Sequence, residues 1–168
     1  MAPSARVLAA LAFAGVLGGA APTALHGQES GHQQVISANP FGLLLELFNA
    51  EYERVVSESA TAGVGGSTFS RDDVRYVNAD VFWRFYPGGT PPDGWAFGAK
   101  VGLTSVSDFG TYFGFGFDTN WSWLLGRNDN FYVGIGFGLK RLLGVSDEDD
   151  FDLRFIPTFR VVNIGLAF

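Results

Sequence analysis

Over most of the chain, hydrophobic residues recur at every second position. In VRYVNADVFWRFYP, Val77, Ala79, Val81, Trp83 and Phe85 share one side, and Asn78, Asp80 and Arg84 the other. WAFGAKVGL sets Trp95, Phe97, Ala99, Val101 and Leu103 against Ala96, Gly98, Lys100 and Gly102. YFGFGFDTNWSW sets Phe113, Phe115, Phe117, Trp121 and Trp123 against Gly114, Gly116, Asp118, Asn120 and Ser122. FYVGIGFGLK sets Phe131, Val133, Ile135, Phe137 and Leu139 against Gly134, Gly136, Gly138 and Lys140. A period of two puts successive side chains on opposite faces of a strand, so each stretch predicts a β-strand with one ring-rich face and one small or polar face. Earlier, Phe48, Ala50 and Tyr52 alternate with Asn49, Glu51 and Glu53, while the glycine-rich SATAGVGGSTF (59–69) is the weakest strand pattern. Residues 35–44 and 45–56 form either one long strand or two joined by a tight turn, and Pro40, which lacks a donor, belongs at a strand end or bulge. Turn signals separate the segments, among them VSES, SRDD, GGTPPDG, TSVSDFG, LLGRNDN and SDEDD. No stretch after residue 34 has helical periodicity, and no long repeat recurs.

The one continuous apolar run is Val7–Ala21, preceded by a single Arg6 and followed by the polar ALHGQES. That layout predicts a secretory signal peptide over 1–27, cleaved between Ala24 and Gln28, with 28–34 as a polar periplasmic leader and 35–168 as the folded domain. Removing 1–27 takes away one arginine and no acid, so the net charge of −6 becomes about −7. So acidic a chain offers no phosphate-neutralising patch for nucleic acid. With no cysteine there is neither a disulfide framework nor thiol chemistry.

The chain closes on FDLRFIPTFRVVNIGLAF, where Val162, Ile164, Leu166 and Phe168 alternate with Val161, Asn163, Gly165 and Ala167. This resembles the C-terminal assembly signal of bacterial outer-membrane β-barrels, a last strand of alternating apolar residues with a terminal Phe. The resemblance implies that the barrel assembly machinery reads Val162, Ile164, Leu166 and Phe168, and that this strand closes the barrel against the first. Single-chain bacterial barrels have an even number of strands. The expectation is therefore an all-β, eight-stranded antiparallel up-and-down transmembrane β-barrel, with 35–56 split in two. Both termini would be periplasmic, with VSES, PGGTPPDG and LGRNDN as short periplasmic turns. NPFGLLLELFNAEYER and YPGGTPPDGWAFGAKVG are similar, more weakly, to segments of small outer-membrane barrels with no assigned activity.

An eight-stranded lumen is just wide enough for side chains, so a face of large rings would overfill it while glycines and mixed charges fit. The expectation is rings outward, with Trp95, Trp121, Trp123 and Tyr52 in aromatic girdles at the two interfaces. Asn49, Glu51, Glu53, Asn78, Asp80, Arg84, Lys100, Asp118, Asn120, Lys140 and Asn163 then form a polar lumen network, with the two charge signs interleaved because a buried unpaired charge is costly. Phe159 and Arg160 have the wrong parity for this scheme; a bulge near Pro157 or snorkelling of Arg160 would reconcile them.

No barrel strand carries a histidine; His26 adjoins the cleavage region and His32 lies in the leader. A nucleophile activated by a histidine base is not expected on the barrel. Nor is there a metal-ligand cluster. Asp147–Asp150 with Asp152 is expected to be a solvated acidic loop, with surface binding of Ca²⁺ or Mg²⁺ as the alternative. The GFGFD and GIGFG runs precede no helix that could seat a dinucleotide. The expectation is a monomeric, non-enzymatic outer-membrane protein without cofactor or nucleic-acid partner, contacting membrane lipid and serving a structural or surface-interaction role. The alternatives are a narrow ion or small-solute pore, a lipid A-modifying enzyme, and a soluble periplasmic barrel for an apolar ligand.

Overall fold

A computed structural model of the chain describes residues 31–41, 47–71, 74–145 and 154–168. The expected signal peptide, residues 28–30 of the leader, Asp72 and Asp73 of the SRDD turn, and the acidic run Asp147–Asp150 with Asp152 lie outside the described residues.

Eight strands follow one another in chain order. They are β1 (Gln34–Ala38), β2 (Leu47–Ser57), β3 (Ala60–Arg71), β4 (Val74–Phe85), β5 (Gly94–Val106), β6 (Gly110–Leu125), β7 (Phe131–Leu142) and β8 (Phe155–Ala167). Each pairs antiparallel with its sequence neighbours, and β1 pairs with β8, so the sheet closes into a barrel without a crossover. The region 35–56 is thus two strands. β1 is only five residues long, whereas β2–β8 run from 11 to 16 residues. SATAGVGGSTF, the weakest pattern, lies within a fully paired β3, because strand partners on both sides supply what its glycines lack.

The seam is fixed by Val35 opposite Ala167 and Ala38 opposite Ile164. Gln33 N and Gln34 N both donate to Phe168 O, and Phe168 N donates to Gln34 O, so backbone pairing continues beyond Ala167. The rim where β1 starts and β8 ends also carries the β2–β3, β4–β5 and β6–β7 turns; it is called the near rim below, and the opposite end the far rim. Asp108, at φ 68°, and Gly110, at φ 115°, turn the short β5–β6 hairpin at the far rim, a left-handed conformation that Gly and Asp tolerate better than other residues.

The period-two pattern resolves with rings outside. Phe117 is 66% exposed, and Trp83, Phe97, Phe113, Phe137 and Leu139 also face outward. Gly114, Gly116, Asn120 and Ser122 face inward beside them on β6 and are buried. At Gly98 an added Cβ would run into the Asp118 carboxylate, and at Gly136 into the Asn120 amide. Glycine on the inner face is the space that neighbouring long polar side chains occupy.

Three expectations about placement need correction. Trp95, Trp121 and Trp123 do not divide between the two rims; with Trp83 and Phe97 they gather near the near rim, where Trp95 and Trp121 meet edge to face at 5.4 Å. Tyr52 belongs to the same half of the wall, donating to Gln34 Oε1 at 2.6 Å. The parity conflict on β8 is resolved by a bulge, but not at Pro157. Asn163 lies opposite Gly134 while Arg160 lies opposite Gly136, so the pair Val161–Val162 faces Ile135 alone. One extra residue there switches the faces, since side-chain direction alternates strictly along a strand. Phe159 consequently points out and Arg160 in.

Candidate functional site

The lumen is layered. Near-rim positions pointing inward are mostly apolar or aromatic (Val35, Tyr86, Ala96, Tyr132 and Ala167), with Leu124 packed against the Val35–Tyr132–Ala167 cluster and the small polar Thr61 and Ser122 between them. Far-rim positions are apolar too, with Val106, Leu142 and Ile156 buried and Phe69 stacked on Tyr76 at 4.4 Å. Between these ends lies a charged middle layer, built by β2, β4, β5, β6, β7 and β8.

Arg84 is its hub. From β4 its Nη1 donates to Glu53 Oε2 at 2.7 Å and its Nη2 to Glu51 Oε2 at 3.0 Å. Its Nε lies 3.8 Å from Asp118 Oδ1, and its guanidinium sits 4.0 Å from the centre of the Phe82 ring. Glu51 and Glu53 reach one arginine because they are two residues apart on β2 and so share a face. The second oxygen of Glu53, Oε1, accepts from Thr61 at 2.5 Å and from Tyr86 at 2.7 Å. A carboxylate that is only 1% exposed thus has both oxygens hydrogen-bonded, the condition under which burying it is tolerable.

Around the hub, Lys100 Nζ lies 3.3 Å from Asp118 Oδ2 and donates to Thr158 Oγ1 at 2.7 Å. Asn120 Nδ2 donates to Asp118 Oδ1. Lys140 and Asp80 form a separate pair at 2.5 Å. Arg160 Nη2 lies 3.1 Å from Glu51 Oε2, which therefore serves two guanidiniums. Among the described inward-pointing strand residues, the acids Glu51, Glu53, Asp80 and Asp118 face the cations Arg84, Lys100, Lys140 and Arg160, so the layer is neutral as a whole. A guanidinium fork suits such sharing because it presents several donors in fixed directions.

The sequence-derived lumen residues all lie on the inner face, but not in one cluster. Glu51, Glu53, Arg84, Lys100, Asp118 and Asn120 are joined; Asp80 and Lys140 form their own pair. Asn78 belongs to a third group, accepting from Thr104 at 2.6 Å and donating to Ser67 at 3.2 Å. Asn163 donates to Ser37 at 3.5 Å, and Asn49 stands apart with its Oδ1 buried and without a hydrogen-bond partner. Sequence reasoning omits Phe82, Tyr86, Tyr132, Thr61 and Thr158, the first three of which have the inward parity of their own strands. Arg160 is signalled only by its wrong parity, which shows that something on β8 is irregular but not that a bulge at Val161–Val162 turns it inward.

His32 is not near this layer: its Nε2 meets Asn128 O at 2.6 Å and ties the leader to the β6–β7 turn. Among the described residues no group of three His, Asp or Glu side chains converges as a metal site would require. The arrangement holds opposite charges in fixed pairs across the lumen, beside a cavity of about 400 Å³ that Glu51, Asp80, Arg84, Lys100, Asp118 and Arg160 help to line. Compared with known proteins, the chain matches no family model, no curated protein and no solved structure.

Proposed function

We propose that this chain is an integral outer-membrane β-barrel protein of bacteria, exported by its N-terminal segment and non-enzymatic, with a plugged lumen and a structural or surface-interaction role. One observation carries this reading: the inversion of the barrel. Rings and aliphatic side chains cover the outside while ion pairs and amides fill the inside. In water such an outer surface would far exceed the apolar patch that a monomer exposes. In a bilayer it is the surface that hydrocarbon solvates, and closure leaves no sheet edge to satisfy except where β1 falls short. The strands β2–β8, at 11–16 residues, reach or exceed the roughly 9–11 that a tilted strand needs to cross. The near-rim tryptophans suit one membrane–water interface. Val162, Ile164, Leu166 and Phe168, with the resemblance they carry to the outer-membrane assembly signal, point to recognition by the barrel assembly machinery.

The plugged reading is supported over a pore by the apolar layers at both ends and the neutral, mutually paired middle. The test is fractionation of expressing bacteria followed by gel electrophoresis with and without boiling. The protein is expected in the detergent-soluble outer-membrane fraction, migrating faster unboiled than boiled. Recovery in the soluble fraction after lysis without detergent would refute the membrane assignment.

A further inference from the structure

The turn between β4 and β5, residues 86–93, folds inward over the near mouth of the barrel. Pro92 is buried although it lies outside the strands. Ser122 points into the lumen from β6, is 1% exposed, and donates from its Oγ to Pro92 O at 2.6 Å. A hydroxyl on the inner face reaches that carbonyl only if the turn leans over the lumen. Asp93 makes a second contact, its Oδ1 accepting from Leu124 N at 3.1 Å. β5 begins at Gly94, opposite Ser122, so Leu124 lies past the end of the β5–β6 ladder. The Asp93 carboxylate supplies its N–H with the acceptor that a longer β5 would have given.

The tip of the turn is stiff. Asp93 N donates to Thr90 O at 2.8 Å and Thr90 Oγ1 to Asp93 O at 3.1 Å, while the rings of Pro91 and Pro92 fix their φ angles. On either side stand glycines at positive φ, Gly89 at 67° and Gly94 at 94°. Glycine passes between positive and negative φ with no side chain to obstruct it. A stiff tip between two pliable residues moves as one body. Among the described residues, two hydrogen bonds from β6 hold that tip, whereas β4 and β5 are paired all the way from Tyr76 to Phe85. Segments held by few bonds open locally at far lower cost than the ladders around them.

We propose that the β4–β5 turn is a hinged lid, latched to β6 through Pro92 O and Asp93, that swings off the near mouth as a unit. Opening exposes Ser122 and the fully buried Ala96 of β5 to water while the wall stays paired. The lid acts at the mouth, so it does not depend on what surrounds the wall.

The chain has no cysteine, so a single introduced thiol is the sole target of a labelling reagent. Ala96→Cys and Ser122→Cys place the thiol under the lid, Arg127→Cys in an exposed turn, and Val106→Cys at the buried far end. Each full chain, folded in detergent micelles, is treated with a small water-soluble methanethiosulfonate. Both thiols under the lid are expected to react far more slowly than Arg127→Cys. Adding Asp93→Ala is expected to speed both roughly tenfold, the scale of one lost charged hydrogen bond. Ser122→Ala is expected to speed Ala96→Cys, and Val106→Cys is expected to keep its rate in the Asp93→Ala background. Reaction of the covered thiols at the rate of the exposed one, indifference of both to Asp93→Ala, or equal acceleration of Val106→Cys overturns the lid. Migration with and without boiling shows which variants are folded; if Ala96→Cys is not, the rates of Ser122→Cys with and without Asp93→Ala decide alone.

Discussion

Arg84 shows how one side chain organises the lumen. It touches Glu51, Glu53 and the Phe82 ring at once, and it is 2% exposed. Replacing it with methionine keeps much of the volume but leaves the buried Glu53 carboxylate without a cation and Glu51 with Arg160 alone. Removing one partner of a buried pair costs about 3–5 kcal/mol, so Arg84→Met is expected to lower stability by about that amount in urea titrations of the folded barrel. Adding Glu53→Gln should restore much of the loss, because the uncompensated charge goes with it while Glu51 keeps Arg160. Loss below about 1 kcal/mol for the single variant would mean that the layer is not held by its ion pairs. Phe117 offers the complementary probe on the outer face. It is the most exposed large apolar residue and sits mid-strand on β6. In a bilayer, Phe117→Arg is expected to cost about 2–4 kcal/mol, falling to about 0–1 kcal/mol for the same change near a rim, as at Phe131. In a water-soluble barrel both changes would be close to neutral, so the depth dependence discriminates between the two environments.

Among the elements, β8 bears the most. It joins β7 along nearly its whole length and β1 over four positions, and its bulge at Val161–Val162 carries Arg160 inward. In the segment before the bulge, Phe155, Pro157 and Phe159 face out; after it, Leu166 and Phe168 do. A strand without the extra residue would have put either its first half or its last half on the wrong face. The Phe168 side chain contributes little to the interior, since it is 52% exposed. Phe168→Ser, which keeps the backbone bonds to Gln33 and Gln34, is therefore expected to reduce outer-membrane levels in cells sharply while protein refolded in vitro keeps nearly the parental unfolding midpoint. Equal cellular levels of the two proteins would argue against its role as an assembly signal. The parity conflict at Phe159 and Arg160 pointed to an irregularity, but the place of the bulge was hidden because periodicity on either side of it is intact. VVN contains no proline or glycine to mark the extra residue, and the shift is visible only as which residue of β8 faces which residue of β7.

For the molecule as a whole, the lumen is apolar at both ends and neutral and paired between them. Ions crossing it would have to leave water at the Val35–Tyr132–Ala167 cluster and at Val106, Leu142 and Ile156 without a compensating ligand. Planar-bilayer recordings of the purified protein are expected to show no steady conductance; reproducible channel steps would instead establish a pore. The alternation of rings with glycines and charges was enough to define β4–β7 and the face of each, and the last half of β8, because side-chain direction along a strand is a local property of the backbone. It also placed Glu51, Glu53, Asp80, Arg84, Lys100, Asp118 and Lys140 on the inner face. Pairing was beyond it. That Arg84 bridges Glu51, Glu53 and Asp118, that Lys140 meets Asp80, and that Arg160 turns inward to reach Glu51 all depend on register between strands distant in the chain. Register is set by closure of the whole sheet, and only the tertiary structure decides it.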